Sequence, residues 1–319
     1  MKIMRQVFLL VLMAGLGCLE VYGQSTNRIP EAMVTIKVTD EVGGVLTGMP
    51  IHIWFDESVI FDGVTDSSGF YVARGKCSII DPPIRIERKG YYISSMKCRF
   101  TNILDKVEYQ WQPWNPVVTM VVRRVINPVP MYEKRVETKI PRTNEFFGFD
   151  LMRGDWVAPQ GQGVVSDLIF KVEGFWKDYR NTDTTLSLRF HQPKDGLLPF
   201  AYPVAFGMPI GSEFIIPREA PLDGYESELV KRKSRFQGKD RDVQINDFSE
   251  GKGYIFRIRS VTNDSGMVTT AYYGGMLRDI EFGGAGKNGS SLKFTYFLNP
   301  APNDRNLEFD PKQNLFKGQ

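Results

Sequence analysis

The chain has 319 residues, of which 42% are hydrophobic, 24% charged and 13% aromatic, so disorder is excluded and two domains of ordinary size can form. Lys and Arg number 40 against 37 acidic residues, and a formal charge of +3 provides no broad cationic surface for nucleic acid or anionic lipid. The two histidines, His52 and His191, have no metal-ligand spacing. We therefore expect no metal, no cofactor and no nucleic-acid partner.

Residues 1–23 have the three regions of a secretory signal peptide. Lys2 and Arg5 precede an apolar run from Val7 to Leu12, and a small-residue cleavage site ends at Gly23. The apolar stretch is too short to span about 30 Å of hydrocarbon. We therefore expect cleavage, a mature chain without a transmembrane span, and a periplasmic, extracellular or cell-surface location.

The three cysteines give two further predictions, one about lipid attachment and one about a disulfide. Cys18 follows a small residue at the end of the apolar segment, which leaves lipid attachment open as an alternative to simple cleavage. Cys77 and Cys98 remain after cleavage, and an even count in an exported protein predicts a disulfide between them. Such a bridge would stabilise the fold by about 3 kcal/mol. Two buried free thiols are the alternative.

Residues 24–125 are predicted to form an all-β sandwich domain. Apolar and polar residues alternate over four predicted strands, at 33–38, 50–55, 84–87 and 117–122. Turn-forming residues separate these strands at 42–44, 66–69 and 81–83. Two prolines within 127–130 predict a linker after this domain, because proline interrupts strand pairing.

Four segments of this domain resemble the carboxypeptidase regulatory-like family: Thr47–Ile53, Thr65–Tyr71, Ile84–Tyr91 and Val117–Arg123. The resemblance covers about a third of the chain, and its moderately specific part is the turn from Asp66 to Phe70 followed by the Lys89-Gly90-Tyr91 strand. It implies a transthyretin-like β-sandwich with an accessory, mostly non-catalytic role, and it transfers no active-site residue. Independently, Asp66 can cap the turn and Gly69 can adopt a left-handed conformation.

Residues 126–319 are also β-patterned and predict an antiparallel sandwich or barrel. The predicted strands lie at 164–172, 184–190, 254–261, 268–273 and 292–298. The stretch 193–247 is rich in Gly, Pro and charge and is predicted to be a long loop, either functional or mobile, with the basic run Lys231–Arg235 on a solvated face. This region resembles an uncharacterised module of exported bacterial proteins.

Four carboxylates lie close together in the sequence beside Trp156, Phe175 and Trp176; they are Asp150, Asp155, Asp167 and Glu173. Glycoside hydrolases use two carboxylates a few ångströms apart, so this group supports an alternative activity, a polysaccharide hydrolase. The competing interpretation places the same residues in turns and on solvent-facing strand positions.

The segment from Tyr109 to Trp114 is the candidate binding surface. Tyr109, Trp111 and Trp114 alternate with amide side chains and proline, and such aromatic faces can stack on sugar rings while amides bond hydroxyls. The alternative is that these rings pack in the core or at a joint between domains. We predict an exported, non-enzymatic binding or structural module, with a polysaccharide or an envelope protein as candidate partner.

Overall fold

The computed structural model describes residues 28–104, 109–205, 208–238, 242–284 and 289–316. Every regular element in these ranges is a β-strand, which confirms the predicted all-β class. These ranges contain no helix with the length and apolar character needed to cross a membrane. The predicted signal peptide, with Cys18, lies outside the described residues.

Nine strands lie in the described residues before position 123. They are β1 (Glu31–Thr39), β2 (Pro50–Trp54), β3 (Ile60–Val64), β4 (Phe70–Lys76), β5 (Pro83–Ile86), β6 (Ser94–Lys97), β7 (Asn102–Leu104), β8 (Gln110–Gln112) and β9 (Val117–Val121). β1 pairs with β4 on one side and with β8 and β9 on the other, and β8 also pairs with β7. β6, β5, β2 and β3 lie side by side in a second sheet.

The alternation read from the sequence determines which faces of these two sheets are buried. Val34 and Ile36 of β1 are fully buried together with Ile51 and Ile53 of β2, and the intervening residues are partly exposed. One core cluster therefore lies between the two sheets and holds buried residues from 32 to 122. This packing of one inner face on another is the predicted sandwich.

The turn before β4 forms as its residue types predict. Asp66 Oδ1 accepts hydrogen bonds from the backbone N–H groups of Ser68 at 2.8 Å and Phe70 at 2.9 Å. Gly69 has a φ of 76°, a conformation that glycine adopts without a steric cost. The capped turn sets the point at which Phe70 enters the sheet.

After position 123 the described part of the chain contains sixteen further strands. They are β10 (Val129–Ile140), β11 (Phe147–Asp150), β12 (Asp155–Trp156), β13 (Leu168–Asp178), β14 (Asn181–Arg189), β15 (Gly196–Ala201), β16 (Val204–Ala205), β17 (Met208–Pro209), β18 (Gly211–Ser212), β19 (Glu228–Phe236), β20 (Val243–Asn246), β21 (Lys252–Thr262), β22 (Val268–Met276), β23 (Glu281–Phe282), β24 (Ser290–Leu298) and β25 (Phe309–Asn314).

Two large sheets pack face to face in this second half. One has the order β15-β21-β22-β24-β10-β25, with β23 beside β24, and the other has the order β12-β11-β13-β14-β19-β20. Aromatic side chains join them: the rings of Phe149 and Phe170, from the second sheet, each lie 5.5 Å from the ring of Phe294 in the first. The arrangement is a sandwich, one of the two predicted forms.

The first of these sheets is buried on both faces. Its inner face contributes Phe256 and Tyr296 to the core between the sheets, while Ile255 and Phe297 pack on its outer face against Phe214. Double burial explains why residues 253–258 are buried in succession instead of alternating. The buried clusters share no residue across position 126, and the domain boundaries themselves stay predictions.

Two predictions about the second half are corrected. The stretch 193–247 is not one long loop: it supplies β15 to one sheet, β19 and β20 to the other, and β18, which pairs with β6 of the first half. The expected linker at 127–130 already contains the start of β10, because Pro130 falls at a register irregularity between Val129 and Met131, where no ladder hydrogen bond is required of it.

Candidate functional site

Trp111, the centre of the predicted aromatic platform, is a core residue. Its side chain is 7% exposed and stacks on Phe100, with ring centroids 5.3 Å apart and an interplanar angle of 15°. Its indole N–H donates to the backbone carbonyl of Cys77 at 2.8 Å. The ring therefore has no free face for a ligand, which corrects the expectation for this residue.

Trp114 and Tyr109 lie apart from that core, each beside a guanidinium group. The Arg74 guanidinium lies 5.6 Å from the Trp114 ring and pairs with Glu31, while the Arg28 guanidinium lies 5.0 Å from the Tyr109 ring. Both aromatic residues are half-buried. The three predicted residues therefore do not form one flat platform, and ligand binding at Trp114 or Tyr109 stays a prediction.

Asp150 and Asp167 lie close together in the structure, and both accept hydrogen bonds from Arg259. Arg259 Nη2 donates to Asp150 Oδ1 at 2.9 Å and to Asp167 Oδ2 at 2.8 Å, and its Nε donates to Asp167 Oδ1 at 2.7 Å. The carboxylates are 2% and 1% exposed. Backbone N–H groups occupy the remaining acceptor positions, from Leu151, Met152, Arg153, Val164 and Val165.

The two buried carboxyls have opposite pKa shifts. Burial raises the pKa of Asp167 by more than Arg259 lowers it. Burial also acts on Asp150, but the backbone N–H groups of Val164, Val165 and Arg153, together with the charge of Arg259, outweigh it and lower the pKa of that carboxyl. Opposed shifts are common in acid and base pairs, yet these groups face Arg259 and backbone donors instead of a cleft. The pair is a structural cross-link between the two sheets.

The other two candidate acids have local roles. Asp155 accepts hydrogen bonds from the backbone N–H groups of Trp156 and Gln162, each at 2.8 Å, and so shapes the turn after β12. Glu173 pairs with Lys171, two residues earlier on β13, at 2.6 Å. Asp155 and Glu173 therefore follow the competing interpretation, whereas Asp150 and Asp167 are buried structural groups that neither interpretation described.

Cys77 and Cys98 are both buried and both are free thiols in this structure. Cys77 Sγ donates to the carbonyl of Ile79 at 3.1 Å, and burial raises the pKa of each thiol to about 11. The predicted disulfide is thus not formed here. The two residues pack in the same core cluster, as the free-thiol alternative describes.

A cavity of about 520 Å³ opens on the outside of the β2-β5-β6 sheet. Most of its lining is apolar: Trp54, Ile79, Pro83, Ile84, Met96, Ala205 and Ile210. Charged and hydroxyl groups complete it: Asp56, Glu57, Arg85, Ser95 and Lys97. We call it the Trp54 cavity. Sequence reasoning missed it, although the alternation that buries Ile51 and Ile53 already predicts an outward-facing Trp54.

Six residues join the two halves of the molecule beside β18; they are Glu41, Tyr92, Arg123, Phe214, Arg218 and Glu308, and we call them the joint. Arg218 donates to both Glu41 oxygens, at 3.0 and 2.8 Å, and Arg123 donates to Glu41 Oε2 at 3.2 Å. The Arg123 guanidinium lies 4.2 Å from the Phe214 ring, which stacks on Tyr92.

The buried Glu308 holds the chain where the first half ends. Its carboxylate accepts hydrogen bonds from Tyr92 Oη at 2.8 Å and from the backbone N–H groups of Ile126 at 2.8 Å and Asn127 at 2.9 Å. Arg218 lies 3.3 Å from the same carboxylate. The start of the segment predicted as a linker is therefore held by hydrogen bonds to Glu308.

No family model matches the chain, and no curated protein matches it. Among solved structures it is similar to a DUF3823 family protein from Parabacteroides merdae, with 7% identity, 84% of this chain and 96% of that chain covered, and a TM-score of 0.23. BcpA, the major pilin subunit of Bacillus cereus, has 9% identity, coverages of 75% and 92%, and a TM-score of 0.23. Scores this low do not establish a shared fold and assign no function.

Proposed function

We propose that this chain is an exported, non-enzymatic binding or structural module of the cell envelope, with the Trp54 cavity as its ligand site. The observation that carries the binding proposal is the cavity itself. Its volume of about 520 Å³ lies within the range of small-molecule and side-chain pockets. An apolar lining with a few polar groups at the edge suits a ligand that presents an apolar face or side chain.

The hydrogen bonds of the candidate catalytic acids Asp150 and Asp167 support the non-enzymatic part of the proposal. A glycoside hydrolase needs two carboxyls flanking an open space where the sugar lies. Asp150 and Asp167 instead share Arg259 and are almost fully buried. Their hydrogen-bonding capacity is already used for structure.

The structural part of the proposal is supported by the joint. Ion pairs and an aromatic stack connect residues on both sides of position 126, and β18 extends a sheet of the first half. Such contacts oppose hinge motion between the halves. A module of this kind transmits force or fixes spacing.

The carboxypeptidase regulatory-like resemblance of residues 24–125 belongs to the same proposal. It is supported by the capped turn at Asp66 and by the strands that follow the quoted segments. The accessory, mostly non-catalytic role that the family implies agrees with a binding or structural module. Export rests on residues 1–23, and cell fractionation with N-terminal sequencing tests it: we expect an envelope or secreted protein that begins at Gln24.

Calorimetric titration with two ligand panels, soluble oligosaccharides and short apolar peptides, tests the binding site. We expect a ligand from one panel to bind the wild-type chain and to lose most of its affinity for Trp54→Ala and Ala205→Arg. Trp54→Ala removes a ring that lines the cavity, and Ala205→Arg adds a long side chain at another residue of the lining. Trp176→Ala, an exposed tryptophan outside the cavity, is the matched control.

Two results would contradict the proposal. Binding that survives both cavity variants but disappears in Trp114→Ala would return the site to the originally predicted segment. Release of reducing sugar from any polysaccharide in the same experiment would contradict the non-enzymatic assignment. Binding to only one panel distinguishes a carbohydrate ligand from a protein ligand.

A further inference from the structure

A lysine and an aspartate form a buried pair between the two sheets of the second half. Lys231 lies on β19 and is 2% exposed; Asp279 follows β22 and is 3% exposed. Lys231 Nζ contacts Asp279 Oδ2 directly. The contact joins strands of opposite sheets and residues 48 positions apart in the chain.

Further donors surround the Asp279 carboxyl. Oδ1 accepts hydrogen bonds from the Tyr254 hydroxyl at 2.7 Å and from the backbone N–H of Ile280 at 2.9 Å. Oδ2 accepts one from the backbone N–H of Ser249 at 2.9 Å, beside its contact with Lys231. The two donors on Oδ1 form the kind of arrangement that stabilises an oxyanion when a nucleophile adds to the carboxyl carbon.

The surroundings of Lys231 favour its neutral amine. Tyr254 is buried in the core cluster between the sheets, and desolvation lowers the pKa of Lys231 by more than Asp279 raises it. Neutral lysine is a nucleophile, and a desolvated lysine is the form that enzymes use in covalent catalysis. A buried ion pair also carries a desolvation penalty that a neutral product would remove.

We propose that Lys231 and Asp279 condense into an intramolecular amide that covalently links the two sheets. A proton moves from the Lys231 ammonium to Asp279 Oδ2, and the Nζ lone pair then attacks Cγ. Tyr254 and Ile280 hold the negative charge that develops on Oδ1. A second proton passes from nitrogen to Oδ2, the Cγ–Oδ2 bond breaks, and one water leaves as the amide forms.

The reaction balances without another reagent. The ammonium and the carboxylate together contain the three hydrogens and two oxygens found in the N–H, the C=O and the released water. Holding both groups in contact replaces an encounter in solution, and well-oriented intramolecular reactions reach effective concentrations on the order of 10⁵ M or more. Asp279 also lines a cavity of about 310 Å³, which gives the water a way out.

The same strand contains a matched control. Lys233 lies two residues after Lys231 on β19 and is half-buried, but its Nζ donates to the backbone carbonyl of Phe282 at 3.0 Å. An amide carbonyl of the main chain has no comparable leaving oxygen. Lys233→Met should therefore remove a neighbouring amine without affecting the proposed bond.

Intact-mass spectrometry of the purified full chain in denaturing solvent tests the proposal directly. We expect the wild-type mass to be lower, by one water, than the mass of the sequence from its observed N-terminus. A protease digest should yield one branched peptide containing Lys231 and Asp279. Lys231→Met and Asp279→Ala should restore the full sequence mass, Lys233→Met should keep the loss, and Asp279→Asn should replace the loss of water by a loss of ammonia.

A folded wild-type chain with its full sequence mass, and with Lys231 and Asp279 in separate peptides, would overturn the proposal. A water loss that maps to Asp62, Asp195 or Asp223 would do so too, because each of these precedes glycine and can lose water locally. Both results come from the wild-type protein, so they do not depend on whether a variant folds. Tyr254→Phe adds a kinetic readout: the linked fraction after synthesis should rise more slowly.

Discussion

Arg259 binds Asp167 through two parallel hydrogen bonds, Nε to Oδ1 at 2.7 Å and Nη2 to Oδ2 at 2.8 Å. The same Nη2 reaches Asp150 Oδ1 at 2.9 Å. One guanidinium on β21 thus binds two carboxylates of the opposite sheet, one at the end of β11 and one just before β13. This relationship separates a structural role for the acidic cluster from a catalytic one.

Replacing Arg259 should be strongly destabilising. Arg259→Met leaves two buried carboxylates without their cation, and removal of one partner from a buried ion pair typically costs about 3–5 kcal/mol. We expect a loss of this size in the free energy of unfolding, measured by urea denaturation. The exposed Arg153→Met should change stability by about 0.5 kcal/mol or less. A stable Arg259→Met protein that gained hydrolase activity would reverse our interpretation.

The joint should weaken in acid. Hydrogen bonding to Arg218, aided by Arg123, lowers the pKa of Glu41 from an ordinary 4.5 to about 2. Between these values the unfolded chain binds a proton at Glu41 that the folded chain does not bind, so stability falls as the pH falls. We expect wild-type stability to decline across this window more steeply than that of Glu41→Gln.

The comparison between the two proteins isolates Glu41 from the other acids, which titrate in both. Glu250→Gln, an exposed glutamate outside the joint, is the control and should keep the wild-type slope. Urea denaturation at a series of pH values measures all three. Parallel curves for wild type and Glu41→Gln would mean that the joint adds no pH-dependent stability.

The two tryptophans of the predicted platform should respond differently to truncation. Trp111→Ala removes a buried ring that packs on Phe100 and leaves the Cys77 carbonyl without its donor, so we expect a loss of about 3–5 kcal/mol. Trp114→Ala, at a half-buried position, should cost about 1 kcal/mol or less. Chemical denaturation of both variants checks this, and equal losses would contradict the assignment of Trp111 to the core.

The cysteines should be unreactive in the folded protein. Burial hides Cys77 and Cys98 from reagents and raises the pKa of each thiol to about 11, so little thiolate exists at neutral pH. We expect no rapid labelling by a maleimide under native conditions. After denaturation without reductant, two labelled thiols would support the free pair, and none would support the disulfide that export predicts. Rapid native labelling would contradict the burial.

The sequence predicted strands correctly where apolar and polar residues alternate and the facing sheet buries the apolar side. The repeating apolar positions of β1, β2, β21 and β24 fixed their existence from the sequence, and the Asp66 turn followed from side-chain chemistry. Contacts between residues far apart in the sequence could not be predicted. Trp111 alternates with two glutamines, and only the sheet facing it decides that its ring points inward.

The acidic cluster and the basic run show the same limit. Sequence proximity brought Asp150 and Asp167 together, but Arg259 lies 92 residues beyond Asp167 in the chain. Lys231 belongs to a run of cations that normally indicates a solvated face, and its burial depends on Asp279, which follows β22. Charge patterns therefore identified the residues, while the fold determined their roles.

The pairing of β18 with β6 bears on how the chain can be divided. Ser94 and Ser95 complete their sheet only through residues 211–212, which the ribosome makes more than a hundred residues later. Until then β6 is an open edge, and open edges invite association with other chains. A fragment that stops near residue 126 keeps that edge permanently, so we expect it to aggregate or to recruit a strand from elsewhere.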